Sequence, residues 1–152
     1  MSPRARDLLL ALDQGSSSSR AVLFDLKGRV VASARKPVKT SRPREGWAEH
    51  DPSELARTLE AALDAVLSKL GPADKIHAAG LAVQRSTVVF CDRKNFKPVS
   101  KAPSWMDGRA KAEIAPLLGR QTEIHEKTGL YATPYYSAPK IRWFLDHDVK
   151  VM

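Results

Sequence analysis

The chain has 152 residues, of which 43% are hydrophobic and 28% charged, and its formal net charge is +8. This length supports one domain with a hydrophobic core, and the composition excludes an intrinsically disordered chain. The basic charge favours nucleotide phosphates, nucleic acid or an acidic domain as binding partners. Cys91 is the only cysteine, so an internal disulfide is excluded, and we expect this side chain to be buried in an apolar run.

No targeting or membrane-spanning segment is predicted. Arg4 and Arg6 precede only five consecutive apolar residues, a run too short for a signal-peptide core. No apolar stretch approaches the roughly 20 residues that a helix needs to cross a bilayer. We therefore predict a cytoplasmic protein.

Two short apolar runs, Leu8–Leu12 and Ala21–Phe24, flank a turn of small residues. This pattern predicts a β-hairpin whose first strand is central in a sheet. The turn holds Gly15 and four serines beside Arg20, so that amide and hydroxyl donors suited to phosphate oxygens surround one small volume. Asp13, at the end of the first strand, suits a hydrated Mg²⁺. The alternative is a flexible polyserine linker.

A third strand is predicted at Val30–Ser33, followed by a long polar loop and a helix capped by Asp51 or Ser53. The helix has one apolar face, predicted to pack in the core: Leu55, Leu59, Ala62, Leu63, Val66 and Leu70. The apolar run Ile76–Val83 predicts a buried strand. Four polar residues follow it directly: Gln84, Arg85, Ser86 and Thr87. Open α/β sheets bind ligands at such strand ends.

The second half predicts a strand at Val88–Cys91 and then three helices. The first is capped by Asp107 and runs through Ile114, and the second covers Gln121–Lys127 and stops at Gly129. The third is capped by Ser137 and directs Ile141, Phe144 and Leu145 inward. No linker divides the chain into two domains.

Five segments resemble, in order, those of the FGGY carbohydrate kinases, and of their glycerol kinase-like branch in particular. They are Asp13–Arg20, Gly46–Pro52, Gln84-Arg85, Trp105–Arg109, and Pro134-Tyr135 with Ser137–Lys140. Each segment is weakly specific alone, and the ordered set is strong.

The resemblance implies an α/β fold of the actin-like, ribonuclease-H-like type. Its mixed sheet would open with an antiparallel three-stranded meander and carry flanking helices. The implied activity is ATP- and Mg²⁺-dependent phosphorylation of a sugar or polyol hydroxyl. Residues 1–152 would form the N-terminal part of the first kinase domain. The second half of that domain, the second domain and the general-base Asp would lie outside this chain, which alone is expected to be inactive.

The resemblance also implies roles for individual residues. Ser16, Ser17 and Ser18 would face the ATP phosphates, with Arg20 steadying them, and Asp13 would hold Mg²⁺ through water. The implied substrate-binding set comprises Gln84, Arg85, Ser86, Trp105, Asp107 and Tyr135. Within it, Arg85 donates to a substrate hydroxyl, Trp105 forms an apolar wall and Tyr135 closes the pocket. The alternative roles from the residues alone are a strand-end salt-bridge partner for Arg85, a core position for Trp105 and packing for Tyr135.

One position departs from the glycerol kinase pattern. Those enzymes usually carry Glu after the Arg, where this chain has Ser86, which supplies no charged acceptor. Glycerol, a longer polyol and a ketose such as xylulose therefore all stay open as substrates.

Two other classes of function are compatible with the sequence. One is a basic ribonuclease-H-like module that binds nucleic acid, although no aromatic side chain is interleaved with the basic residues between Arg35 and Arg44. The other is an interaction domain that forms a homo-oligomer through exposed sheet and helix faces.

Overall fold

A computed structural model describes residues 5–148, which divide into two compact units. The first unit contains the described residues up to Lys39 together with Ser53–Gln84. The second contains Thr40–Pro52 and the described residues from Arg85 onward. The backbone passes three times from one unit to the other, so the division does not follow a single linker of the kind that a sequence scan detects.

The first unit is built on a four-stranded mixed sheet. Its strands are β1 (Asp7–Gln14), β2 (Ser18–Asp25), β3 (Val30–Pro37) and β5 (Lys75–Val83); β4 (Glu49–His50) lies in the second unit. The order is β3-β2-β1-β5, with β1–β2 and β2–β3 antiparallel and β1–β5 parallel. The predicted meander, with β1 as a central strand, is confirmed.

Helix α1 (Pro52–Leu67) covers one face of this sheet. It begins at a proline, whose missing N–H is not needed in the first turn. In β1, side chains alternate between the faces, so that Leu8 and Leu10 are buried while Leu9 is 39% exposed. The core consists of Leu8, Leu10, Ala21, Leu23, Ala62 and Val66.

The prediction that β5 is buried is wrong. Only Ile76 in this strand is partly covered, and Leu81 and Val83 are 58% and 66% exposed. The reason is its place in the sheet, because β5 pairs with β1 and is an edge strand among the described residues. An apolar run predicts a strand whose side chains favour burial, but it does not determine whether another element packs on them.

The second unit combines a short two-stranded ladder with helices. Strand β4 pairs with β6 (Ala102–Pro103), and the helices are α2 (Lys111–Ile114), α3 (Gln121–Thr128) and α4 (Ser137–His147). A 3₁₀ turn, Ala115–Arg120, joins α2 to α3. Helix α3 ends as predicted at Gly129, whose φ of 70° is the left-handed conformation that glycine tolerates.

The predicted strand at Val88–Cys91 does not form. This segment makes two isolated backbone bonds, from Val88 N to Pro103 O and from Val99 N to Phe90 O. A regular ladder is prevented because the opposing segment contains Pro98 and Pro103, which have no N–H to donate. Cys91 is exposed, which corrects the prediction of a buried thiol.

Two helix starts also differ from prediction. Helix α2 begins after Ala110, so Asp107 does not cap it, and Ser137 is the first residue of α4 and makes no side-chain capping bond. The buried face of α4 carries Lys140 and Phe144, which are four residues apart. Ile141 and Leu145, predicted to face inward, are 40% and 42% exposed. The inward face of α4 therefore carries Lys140 and Phe144, where the periodicity predicts Ile141, Phe144 and Leu145.

Within residues 5–148 no helix combines the length and apolar character required to cross a membrane.

Candidate functional site

The turn between β1 and β2 is shorter than the sequence predicts. Ser18 and Ser19 lie in β2 and are 3% and 0% exposed, so only Gly15, Ser16 and Ser17 form the turn. Gly15 N donates to Ser18 O at 3.0 Å, and Ser17 O accepts from Val38 N at 3.0 Å. A Cβ on Gly15 would lie 3.0 Å from Ser18 O, so only glycine fits this closure without a shift.

Two cross-strand pairs of side chains next to the turn lie on opposite faces of the sheet. Gln14 and Ser19 are cross-strand partners on the buried face, where Ser19 Oγ donates to Gln14 Oε1 at 3.1 Å. Ser19 Oγ also lies 2.7 Å from Thr58 Oγ1 in α1. This buried polar network connects the base of the turn to the helix and fixes the turn's position on the sheet.

Asp13 and Arg20 are cross-strand partners on the other face, and both are exposed. A carboxylate and a guanidinium therefore flank the turn at the strand ends, as the sequence predicts. Among residues 5–148 no group of three or more acidic, histidine or cysteine side chains that could hold a metal ion occurs. A cation here fits Asp13 only if water and phosphate oxygens supply its other ligands, which is the usual arrangement for Mg²⁺.

Gln84 also serves this turn. Its Nε2 donates to Gly15 O at 2.9 Å, and Gln14 Nε2 reaches the same carbonyl at 3.4 Å. The predicted role of Gln84 was a contact with the substrate. In the structure its amide holds the turn backbone in place, and the substrate contact stays a prediction.

In the second unit three segments that carry predicted substrate residues are joined by Lys140. This side chain is fully buried, and its Nζ donates to Ser86 O at 2.8 Å, Ser104 O at 2.6 Å and Tyr135 O at 2.8 Å. All three donors of the ammonium group are used. Burial lowers the pKa of Lys140 to about 8, an effect that the Asp107 carboxylate opposes and the Arg109 guanidinium increases.

Ser86 has a φ of 65°, a left-handed conformation that costs a non-glycine residue about 1–2 kcal/mol. Arg85, directly before it, is exposed. Trp105 and Tyr135 are each 47% exposed, so neither is an ordinary core residue. The Trp105 amide donates to Thr87 Oγ1 at 3.1 Å, which ties the Trp105 segment to the residues that follow β5.

Asp107 lies buried beside Arg109. It is fully buried, and its Oδ2 accepts from Ala48 N at 2.7 Å. Both of its oxygens also accept from Arg109, at 2.8 Å each. With its oxygens hydrogen-bonded away from solvent, Asp107 holds the backbone at Ala48 and the Arg109 side chain, and its contact with a substrate stays a prediction.

Arg109 is the centre of a second cluster, which the sequence pattern does not predict. Its guanidinium lies 3.7 Å from the centroid of the Trp47 ring and 5.1 Å from that of Trp143, and it donates to Glu49 Oε1 at 2.6 Å. Burial opposes the charged form, but the hydrogen bonds to Asp107 and Glu49 outweigh it, and the net effect raises the pKa of Arg109. The only sequence signal was that Trp47 and Arg109 fall in two of the five family-like segments.

A concavity of about 320 Å³ opens beside this cluster and is lined by Trp47, Arg109, Trp143 and neighbouring residues. None of Arg85, Ser86, Trp105 and Tyr135 lines it. These four residues therefore lie outside this concavity.

Residues 8–152 match the family model described as the N-terminal domain of the FGGY family of carbohydrate kinases. The chain belongs to the FGGY family. The resemblance first noted in five short segments thus extends over almost the whole chain, and the mixed sheet is that of the actin-like ATPase fold.

Curated relatives of this FGGY chain include two bacterial glycerol kinases. That of Variovorax paradoxus (strain S110) is 48% identical over 143 residues, an alignment that covers 91% of this chain and 29% of the relative. That of Verminephrobacter eiseniae (strain EF01-2) is 46% identical over 142 residues, with 91% and 28% covered. The chain thus spans less than a third of the length of these relatives.

Solved structures of two FGGY kinases superpose closely on the chain. Plasmodium falciparum glycerol kinase with ADP gives a TM-score of 0.89 at 28% identity and covers 97% of this chain and 30% of that one. Xylulose kinase from Rhodospirillum rubrum gives 0.87 at 28% identity, with 95% and 30% covered.

Proposed function

We propose that this chain is the N-terminal part of the first domain of a carbohydrate kinase, which transfers the γ-phosphoryl group of ATP to a hydroxyl of glycerol or of a related polyol or ketose. The observation that carries the proposal is the set of exposed or partly exposed side chains, Arg85, Trp105 and Tyr135, on three segments held by Lys140. A hydrogen-bond donor, an indole face and a phenol suit a small polyhydroxylated substrate.

The nucleotide side of the reaction is assigned to the turn after β1. Ser16 and Ser17 face the phosphates with side chains and amides, Ser18 contributes through its backbone, and Arg20 adds a positive charge. Asp13 would hold Mg²⁺ through water, and a bound ion would supply positive charge that offsets the charge of the phosphates. Phosphoryl transfer depends mainly on positioning and electrostatic stabilisation, and these residues supply both for the nucleotide.

The proposed kinase needs a group that orients or deprotonates the substrate hydroxyl. The general-base Asp that the family implies would lie in sequence outside this chain. We therefore expect that the chain alone does not phosphorylate a polyol. The length of the relatives supports this, since the chain matches 29% of the Variovorax enzyme.

Activity is best tested in a chimera in which this chain replaces the matching segment of the Variovorax paradoxus glycerol kinase. The chimera is expected to phosphorylate glycerol with kcat/KM within about tenfold of the parent, a difference of about 1.4 kcal/mol in transition-state stabilisation. The parent enzyme and a chimera carrying Asp13→Ala are the controls. A chimera that folds, binds ATP and phosphorylates none of glycerol, xylulose, gluconate and ribulose would refute the proposal.

Substrate choice is tested at Ser86. We favour glycerol because the Variovorax and Verminephrobacter relatives are named glycerol kinases, while the serine leaves the site without the carboxylate that glycerol kinases usually have there. Ser86→Glu in the chimera is expected to lower the KM for glycerol about tenfold, because charged hydrogen bonds contribute about 1.5–3 kcal/mol each. A lower KM for xylulose instead would assign the site to a ketose.

A further inference from the structure

Lys140 is an unusual residue to find at the centre of a packed unit. It lies in the first turn of α4, no part of it is exposed, and all three of its hydrogen bonds go to backbone carbonyls. A lysine is almost never fully buried unless its charge is compensated. Packing alone would be served by a methionine, which fills a similar volume without removing a charge from water.

The three carbonyls belong to segments far apart in sequence. Lys140 lies 54 residues from Ser86, 36 from Ser104 and 5 from Tyr135. Each carbonyl is next to, or part of, a residue assigned to the substrate side of the proposed kinase. Ser86 follows Arg85, Ser104 precedes Trp105, and the third carbonyl is that of Tyr135 itself.

The backbone at Ser86 needs support. Ser86 holds a left-handed conformation that a serine adopts only when its surroundings impose it, and its carbonyl is one of the three that Lys140 binds. The ammonium group of Lys140 has three N–H donors, and each donates to one of these carbonyls. One group therefore fixes the positions of three carbonyl oxygens at once. Small displacements of such segments alter the geometry of the side chains that they carry.

We propose that Lys140 is a positioning residue, whose buried ammonium clamps the backbones of Ser86, Ser104 and Tyr135 and thereby sets the polyol-facing geometry of Arg85, Trp105 and Tyr135. The proposal rests on the proposed function, because the segments are called polyol-facing on that ground. It differs from a purely structural role in one respect. A structural lysine affects all properties of the protein through stability, whereas a clamp affects polyol binding more than nucleotide binding.

The first test uses hydrogen–deuterium exchange on the 152-residue chain and needs no activity. Lys140→Ala is expected to raise exchange at least about tenfold in residues 86–88, 104–106 and 135–136 together, while the core of the first unit keeps its protection. Lys111→Ala, which removes an exposed lysine of the same unit, is the matched control and should change none of them. Exchange that is unchanged at the three segments, or raised equally in both units, would overturn the clamp.

The second test uses the chimera. Lys140→Ala should raise the KM for the polyol about tenfold or more and that for ATP less than about twofold. Propylammonium ion should restore part of the loss by entering the space left by the side chain, and 1-propanol, which lacks the charge and the three donors, should not. Equal changes in both KM values, or equal effects of the two additives, would overturn the proposal.

If Lys140→Ala does not fold, the unmodified chimera supplies the decisive measurement. A neutral amine has two donors instead of three, so the polyol KM should rise between pH 7 and 9.5 while the ATP KM stays level. The charged groups near the ammonium are Asp107 and Arg109. A flat polyol profile would overturn the clamp. A chimera with no turnover at all would refute the proposed function, and the exchange experiment would still decide the role of Lys140.

Discussion

Arg109 and Asp107 form a buried ion pair joined by two parallel hydrogen bonds, from Nε to Oδ1 and from Nη2 to Oδ2, each 2.8 Å long. The side chains are 2% and 0% exposed. Glu49 provides a second carboxylate at 2.6 Å, and the Trp47 ring covers the guanidinium at 3.7 Å. Asp107 and Arg109, two and four residues after Trp105, therefore anchor the segment that carries Trp105.

This pair predicts a large loss of stability for Asp107→Asn. Removing one partner of a buried pair leaves the other charge uncompensated and costs about 3–5 kcal/mol. The matched control is Asp146→Asn, which breaks an exposed Arg–Asp pair on α4 and should cost only about 0.3–0.5 kcal/mol. Urea unfolding followed by tryptophan fluorescence measures both. Equal effects of the two substitutions would show that the buried pair adds nothing beyond an exposed one.

Gly15→Ala tests the turn after β1. The added Cβ would lie 3.0 Å from Ser18 O, which must move away from its bond with Gly15 N, and crowding of this kind costs about 1–3 kcal/mol. We expect a lower Tm for the chain and weaker ATP binding in the chimera. Gly80→Ala in β5 is the control, because a Cβ there meets no atom within 4 Å. A Gly15→Ala protein with normal Tm and normal ATP affinity would contradict the tight closure.

Gln84→Ala separates the two roles considered for this residue. Loss of the bond from Nε2 to Gly15 O should loosen the turn and raise the KM for ATP in the chimera, by up to about tenfold for a bond of about 0.5–1.5 kcal/mol. The KM for the polyol should change less. Gln121→Ala removes an amide that donates to Ala132 O in the other unit, and it should leave the ATP KM unchanged. A selective rise in the polyol KM would restore the substrate contact predicted from sequence.

Asp74 predicts a dependence of stability on pH in the first unit. A side-chain hydrogen bond from Arg6, followed by a backbone bond from Gly71 N, lowers the pKa of Asp74 well below its usual value near 3.8. The folded state therefore binds fewer protons than the unfolded chain in acid, so the contribution to stability is present above about pH 4 and is lost as the pH falls further.

The measurement compares the unmodified chain with Asp74→Asn by urea unfolding at pH 7, 5 and 3. The difference in free energy of unfolding should be constant from pH 7 to 5 and smaller at pH 3. Asp64→Asn, at an exposed position on α1, is the control and should show no such change. A difference that is the same at all three pH values would mean that the Asp74 carboxylate has no special interaction in the folded state.

The sequence alone was sufficient for elements that depend on neighbouring residues. The strands on either side of the Gly15 turn, helix α1 with its buried Ala62 and Val66, and the end of α3 at Gly129 all follow from local periodicity and turn chemistry. Family membership likewise followed from short segments in a fixed order. These signals are local because each arises from contacts within about one helical turn or one hairpin.

Tertiary structure decided the features that depend on partners distant in sequence. Asp107 anchors Arg109 at a point where, about 60 residues earlier in sequence, Ala48 N donates to Asp107 Oδ2 and Glu49 Oε1 accepts from Arg109 Nη2. Lys140 is buried because three carbonyls, one of them 54 residues away, meet at its ammonium group. β5 is exposed because the sheet order places it at an edge. Burial and pairing are properties of the assembled fold. The type and spacing of a residue do not determine which distant carbonyl or carboxylate comes to lie beside it after folding.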